Sequence, residues 1–142
     1  MCWLFKKAKP QIKILRMLPG GVQDDLTQLN IKSLYPVLLD TEYFYTSAED
    51  WAEVFDYIYF KFKMPNYLAE RIDCDDFSIL LKGLVSSFFG LNYFAVVFGN
   101  TPTGSHAWNI FRDEAGFMGF EPQTGKYFPM GEQGYVPKYL LL

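Results

Sequence analysis

Three side chains, far apart in the chain, have the types that thiol chemistry needs: Cys74, His106 and Glu121. Cys74 lies in Arg71-Ile72-Asp73-Cys74-Asp75-Asp76-Phe77, where a polar segment passes into an apolar run. From there Phe77, Leu80, Leu81, Leu84 and Phe88 recur at helical spacing up to Gly90, so the thiol is predicted at or just before a helix's first turn. Unpaired backbone N–H groups and the positive end of the helix dipole gather at such a position and favour a thiolate. His106 is the chain's one histidine and hence the one available imidazole base. It opens Ala107-Trp108-Asn109-Ile110-Phe111, which a turn-like 112–116 separates from Phe117-Met118-Gly119-Phe120-Glu121-Pro122. That pattern reads as a β-hairpin, and a loop of even length puts Glu121 on the same face as His106, where a carboxylate can orient the ring. Nucleophile at a helix start, base on a strand and acid on the next strand is the order that cysteine acyl transfer requires.

These residues sit in motifs that resemble the core of the transglutaminase-like superfamily, among the papain-like cysteine enzymes. The matching stretches are Cys74-Asp75-Asp76-Phe77, Gly90-Leu91, His106-Ala107-Trp108 and Glu121-Pro122, over about residues 72–125. The resemblance implies an α+β fold with a papain/transglutaminase-like core, N-terminal helices, and the Cys74 helix packed on an antiparallel β-sheet. It implies a cysteine protease, amidase or acyltransferase that hydrolyses a peptide or amide bond through a Cys74-His106-Glu121 catalytic triad. A peptide, protein or amide is then the substrate. The alternative is a catalytically silent module of the same fold that binds a peptide or partner protein. The chain departs from the family pattern in having Glu121 where Asp is usual, and Asp73 beside the thiol, where a carboxylate raises the thiol's pKa.

Around this centre Trp108 shares a strand face with His106, and it either shields the imidazole or belongs to the core. Asn109 points to the opposite face, where a supporting hydrogen bond is its expected role, and Asp75 adjoins the thiol. Asp73, Asp75 and Asp76 invite a hard cation, but capping and the helix dipole account for acids at a helix start. No metal or cofactor is expected. Zinc lacks any Cys-x-x-Cys or paired histidines.

The elements that must position these residues are read from periodicity. Thr46 followed by Glu49 has the form of a capping box, and Trp51, Val54, Phe55, Ile58 and Phe62 then mark one face of a helix over about 47–63, stopped by Pro65. Residues 11–17 read as a strand ending in a Pro19-Gly20-Gly21 turn, and 22–40 as a short helix broken near Pro36. Residues 91–99 form a buried strand, 100–104 a loop, and 138–142 a last strand.

With 142 residues, half of them hydrophobic and 19% aromatic, the chain is long and apolar enough for one core, and 1–142 is expected to be a single domain with its catalytic core at about 47–142. A net charge of −3 argues against nucleic acid and against an anionic membrane surface. The two cysteines, Cys2 and Cys74, are not expected to pair, and Cys2 carries no assignable role. The apolar start, 1–5, is too short for a signal peptide or membrane span, so the expected location is the cytoplasm.

Overall fold

The computed structural model describes residues 7–35 and 38–142, which leaves the expectations for Cys2, for the apolar start and for a break at Pro36 outside the described residues. In chain order the elements are β1 (Leu15–Met17), α1 (Pro19–Gln28), β2 (Lys32–Ser33), β3 (Tyr43–Tyr45), α2 (Ala48–Lys61), α3 (Cys74–Phe89), β4 (Phe94–Thr101), β5 (Gly104–Arg112), β6 (Phe117–Glu121), β7 (Lys126–Pro129) and β8 (Val136–Leu141).

Pro19 and Gly20-Gly21 open a helix rather than a turn. Proline at the first helical position loses no hydrogen bond, because the leading N–H groups are unpaired in any helix. In α2 the cap is Ser47, one residue beyond the expected Thr46: its Oγ accepts the Asp50 N–H at 3.2 Å. Thr46 instead donates to the Lys13 carbonyl at 2.5 Å and so ties the segment before β1 to the helix start. Cys74 is the first residue of α3. Asp73 caps that helix, and its N–H donates to the Asp76 carboxylate at 3.2 Å. Gly90 closes α3 in the left-handed region with φ 68°, which a residue without Cβ adopts at no steric cost.

Six strands form one sheet in the order β2-β8-β4-β5-β6-β7, and β1 pairs with β3 in a separate antiparallel ribbon. α2 and α3 cover one face of the large sheet with Trp51, Phe55, Ile58, Leu81 and Val85 against Phe94, Phe111 and Phe120. α1 covers the other face, where Val22 and Leu26 meet Ala95, Val97, Trp108, Ile110 and Leu140. The alternation of Phe94, Ala95 and Val97 between the two cores is the period of two that a sheet buried on both sides demands.

The expected papain/transglutaminase-like core with its antiparallel sheet is therefore corrected. The sheet is mixed, since β2 runs parallel to β8, and the N-terminal half supplies both a strand of the sheet and the helix on its second face. A two-residue strand has no periodicity to read, and its pairing with the last strand is a long-range event. Among the described residues, no helix is long and apolar enough to cross a membrane.

Candidate functional site

The hairpin expected around residue 114 forms with β5 and β6 joined through 113–116, and Asn109 pairs with Phe120. Continued by one residue, this register sets Glu121 opposite Trp108 and diagonal to His106 on one face. The two side chains meet there: His106 Nε2 lies 2.7 Å from Glu121 Oε2. A carboxylate accepts, so the ring carries its proton on Nε2 and, when neutral, keeps Nδ1 as an acceptor.

The thiol is brought to the same place by the packing of α3 on β5. Cys74 Sγ accepts the backbone N–H of Ala107, the residue after His106, at 3.4 Å. Asn109 sets the height of this contact from between α3 and the sheet, on the face away from the His106 ring, as a support rather than a contact residue. Its Nδ2 donates to the Ser78 carbonyl of α3 at 3.0 Å and to the Ala95 carbonyl of β4 at 3.1 Å, while Ser78 Oγ donates to the Cys74 carbonyl at 2.7 Å. Trp108 fulfils both roles open to it: it is fully buried in the α1-side core, and its indole lies nearly parallel to the imidazole with ring centres 6.1 Å apart.

Tyr135 completes the arrangement and was not apparent from sequence. Its hydroxyl donates to Glu121 Oε2 at 3.2 Å, and its ring meets Trp108 edge-on at 5.1 Å. Burial, and secondarily the Glu121 carboxylate, push the Tyr135 phenol above its ordinary pKa, so it remains a donor. On the other side of Glu121, Tyr59 donates to the Pro122 carbonyl at 2.6 Å and fixes the end of β6 to α2. Tyr135 lies in a glycine-rich segment with no periodic pattern. Only Gly134, which packs so closely on Pro102 that a Cβ would come within 2.7 Å of its ring, marks that segment as tied down.

The electrostatics differ from the expectation for a helix-start thiol. Burial raises the Cys74 pKa above its ordinary value; the Ala107 N–H opposes this, and the carboxylates of Asp73 and Asp75 add to the rise. Desolvation and like-charge repulsion thus outweigh the backbone N–H groups of Ala107 and Asp75, which favour the thiolate. Asp75 is itself raised, first through a hydrogen bond with Asp73 and then by burial. The side chains at this helix start converge, and the donor atoms of Asp73, Cys74 and Asp75 lie within 4.8 Å of one another. A protonated soft thiol between two hard carboxylates that share a hydrogen bond is a poorly matched donor set, and no ion is assigned to it.

Cys74, Asp75 and His106 line an open groove of about 430 Å³ along β4, β5 and β8. Asn100, Ser105, Lys138 and Tyr139 form the rest of its polar wall. In the amide orientation that satisfies both its atoms, Asn100 accepts from Lys138 Nζ at 3.0 Å and donates to the Gly99 carbonyl at 3.1 Å.

No protein-family model matches the chain. No curated protein matches it either. Solved structures do. The same fold occurs in a Polyporus squamosus lectin. Its crystal structure, described as bound to the human-type influenza-binding epitope Neu5Acα2-6Galβ1-4GlcNAc, aligns with a TM-score of 0.72 and 23% identity over 90% of this chain and 50% of that one. A second structure, described as a PSL1a–E64 complex, aligns at 0.70 and 24% over the same shares. The chain thus spans about half the length of the structures it matches.

The transglutaminase-like assignment is corrected on this finding, because a solved structure that shares the fold is that of a Polyporus squamosus lectin. With it go the cysteine protease or hydrolase activity, the silent peptide-binding alternative, and the peptide, protein or amide partner that the resemblance implied. His106 and Glu121 nevertheless meet, Cys74 and His106 line one groove, and that groove is the candidate site.

Proposed function

We propose that this groove is a carbohydrate-binding site, with Cys74 and His106 in its lining and Glu121 holding the imidazole from behind. The observation that carries the reading is the character of the wall. A ring nitrogen held as an acceptor, an amide, a hydroxyl and an amine converge on an open groove that also exposes the face of Tyr139, which is 45% accessible. A sugar needs that combination: oriented donors and acceptors for its hydroxyls, and an aromatic plane for its C–H face. Glu121 holds the imidazole so that Nδ1 takes a hydroxyl proton, and Cys74 contributes a neutral, weakly donating floor. The likeness to a lectin fold supports a glycan as the ligand class.

Titration of the folded chain with Neu5Acα2-6Galβ1-4GlcNAc by calorimetry, and by the fluorescence of Trp108 beneath the imidazole, tests this. Saturable binding is expected, with Tyr139→Ala and His106→Ala each weakening it about tenfold, which corresponds to about 1.4 kcal/mol. A folded chain that retains no glycan, and whose Cys74 is instead alkylated at a rate governed by His106, overturns the reading.

A further inference from the structure

His106 lines two concavities. On the side away from the groove a second one, of about 370 Å³, is bounded by the turn between β4 and β5 (Thr101, Thr103), the turn after β6 (Gln123, Thr124) and Tyr135. Three loops from one end of the sheet thus meet around the back of the imidazole. Pro102 against Gly134 and the Thr101–Thr103 hydroxyl contact of 2.9 Å hold two of them in place. The volume falls within the roughly 300–1,000 Å³ typical of ligand pockets.

We propose that this concavity is a second saccharide subsite, so that a glycan crosses the His106 ring with one unit on each side. The inference rests on the carbohydrate reading of the groove. The second lining is rich in hydroxyl groups, with the Gln123 amide and the Glu121 carboxylate among them. A carboxylate repels an acidic sugar and accepts hydroxyl protons from a neutral one. Lys138, the amine of the pair of concavities, lies on the groove side and offsets the Asp75 carboxylate there, whereas the lining on the second side has Glu121 and no amine. The two sides therefore give the ligand a direction: the acidic unit lies toward Lys138 and a neutral hexose or N-acetylhexosamine lies over Thr124 and Gln123.

Amide-detected NMR of the whole chain, titrated with Neu5Acα2-6Galβ1-4GlcNAc and separately with Galβ1-4GlcNAc, tests it. The trisaccharide is expected to shift the amides of Asn100, Ser105 and Tyr139 and also those of Thr103, Gln123 and Thr124, whereas the neutral disaccharide shifts the second set. The exposed double variant Gln123→Ala, Thr124→Val is expected to weaken the trisaccharide about tenfold and confine its shifts to the first set. Shifts on the groove side alone, with the double variant binding as the parent does, overturn the second subsite and leave the groove reading intact. No shift on either side overturns both.

Discussion

Asn109→Ala tests whether the thiol's position is set by the amide held between α3 and the sheet. The amide of Asn109 bridges α3 and β4 through two hydrogen bonds of 3.0 and 3.1 Å in a fully buried place. At roughly 1 kcal/mol net for each bond, their loss costs about 2 kcal/mol. The truncation leaves a small void, which adds on the order of 1 kcal/mol. It also removes Oδ1, which is buried without a partner among the described residues and whose release returns a similar amount. The net expectation is a loss of about 2 kcal/mol, or about 6 °C in Tm for a chain of this size. Urea unfolding followed by tryptophan fluorescence measures the first, with an unchanged m value showing that the unfolded state is unaffected. Because Ser78, one turn into α3, carries both the Asn109 bond and the bond to Cys74, the variant is also expected to alkylate at Cys74 faster than the parent in native buffer. A variant within about 0.5 kcal/mol of the parent, with unchanged alkylation, refutes the idea that this amide positions the thiol.

Other expectations follow from single residues. Gly99→Ala should unfold at distinctly lower denaturant, because its Cβ would meet the Val136 carbonyl and Trp108 at the point where the β4–β8 register shifts, and overpacking at a fixed backbone costs about 1–3 kcal/mol. Asp75→Asn should speed iodoacetamide alkylation of Cys74 at a given pH, since it removes one of the carboxylates that raise the thiol; peptide mapping separates Cys74 from Cys2. For the same thiol, the folded state holds its proton more tightly than the unfolded one, so its contribution to stability is full below the ordinary thiol pKa and is lost as pH rises through the raised value. Lys82 behaves in the opposite sense. Burial pulls its amine down to about 8 from 10.5, against partial support from Asp40, so the unfolded chain binds more protons between those values. Stability gained from this group between about pH 8 and 10.5 should disappear in Lys82→Met, as measured by urea midpoints across that range.

Much of the local structure was legible because burial imprints a period. Phe77, Leu81, Leu84 and Phe88 announce α3, and Trp51, Val54 and Ile58 announce α2, since each set returns to one side of a helix that must face the sheet. The hairpin of β5 and β6 was legible for a similar reason: strand parity alone puts His106 and Glu121 on one face, and their 2.7 Å contact follows. Errors of one residue arose where two neighbours offer the same chemistry, as with Thr46 and Ser47, each followed three positions later by an acid. Pro19-Gly20-Gly21 misled because the same residues serve a turn and a helix start.

By itself the sequence determined α2 and α3, the strands β4, β5, β6 and β8 to within a few residues, that Cys74 lies at a helix start, and that His106 and Glu121 share a face, because these depend on neighbours a few residues away. The tertiary structure alone decided the rest. Pairing β2 with β8 needs segments a hundred residues apart, and Tyr135 reaches Glu121 only because Gly134 lets its loop close on Pro102. The charge of Cys74 was likewise beyond local reading. A helix start favours a thiolate, but how far the sulfur is removed from water depends on β5 packing over it, and desolvation outweighs the helix end.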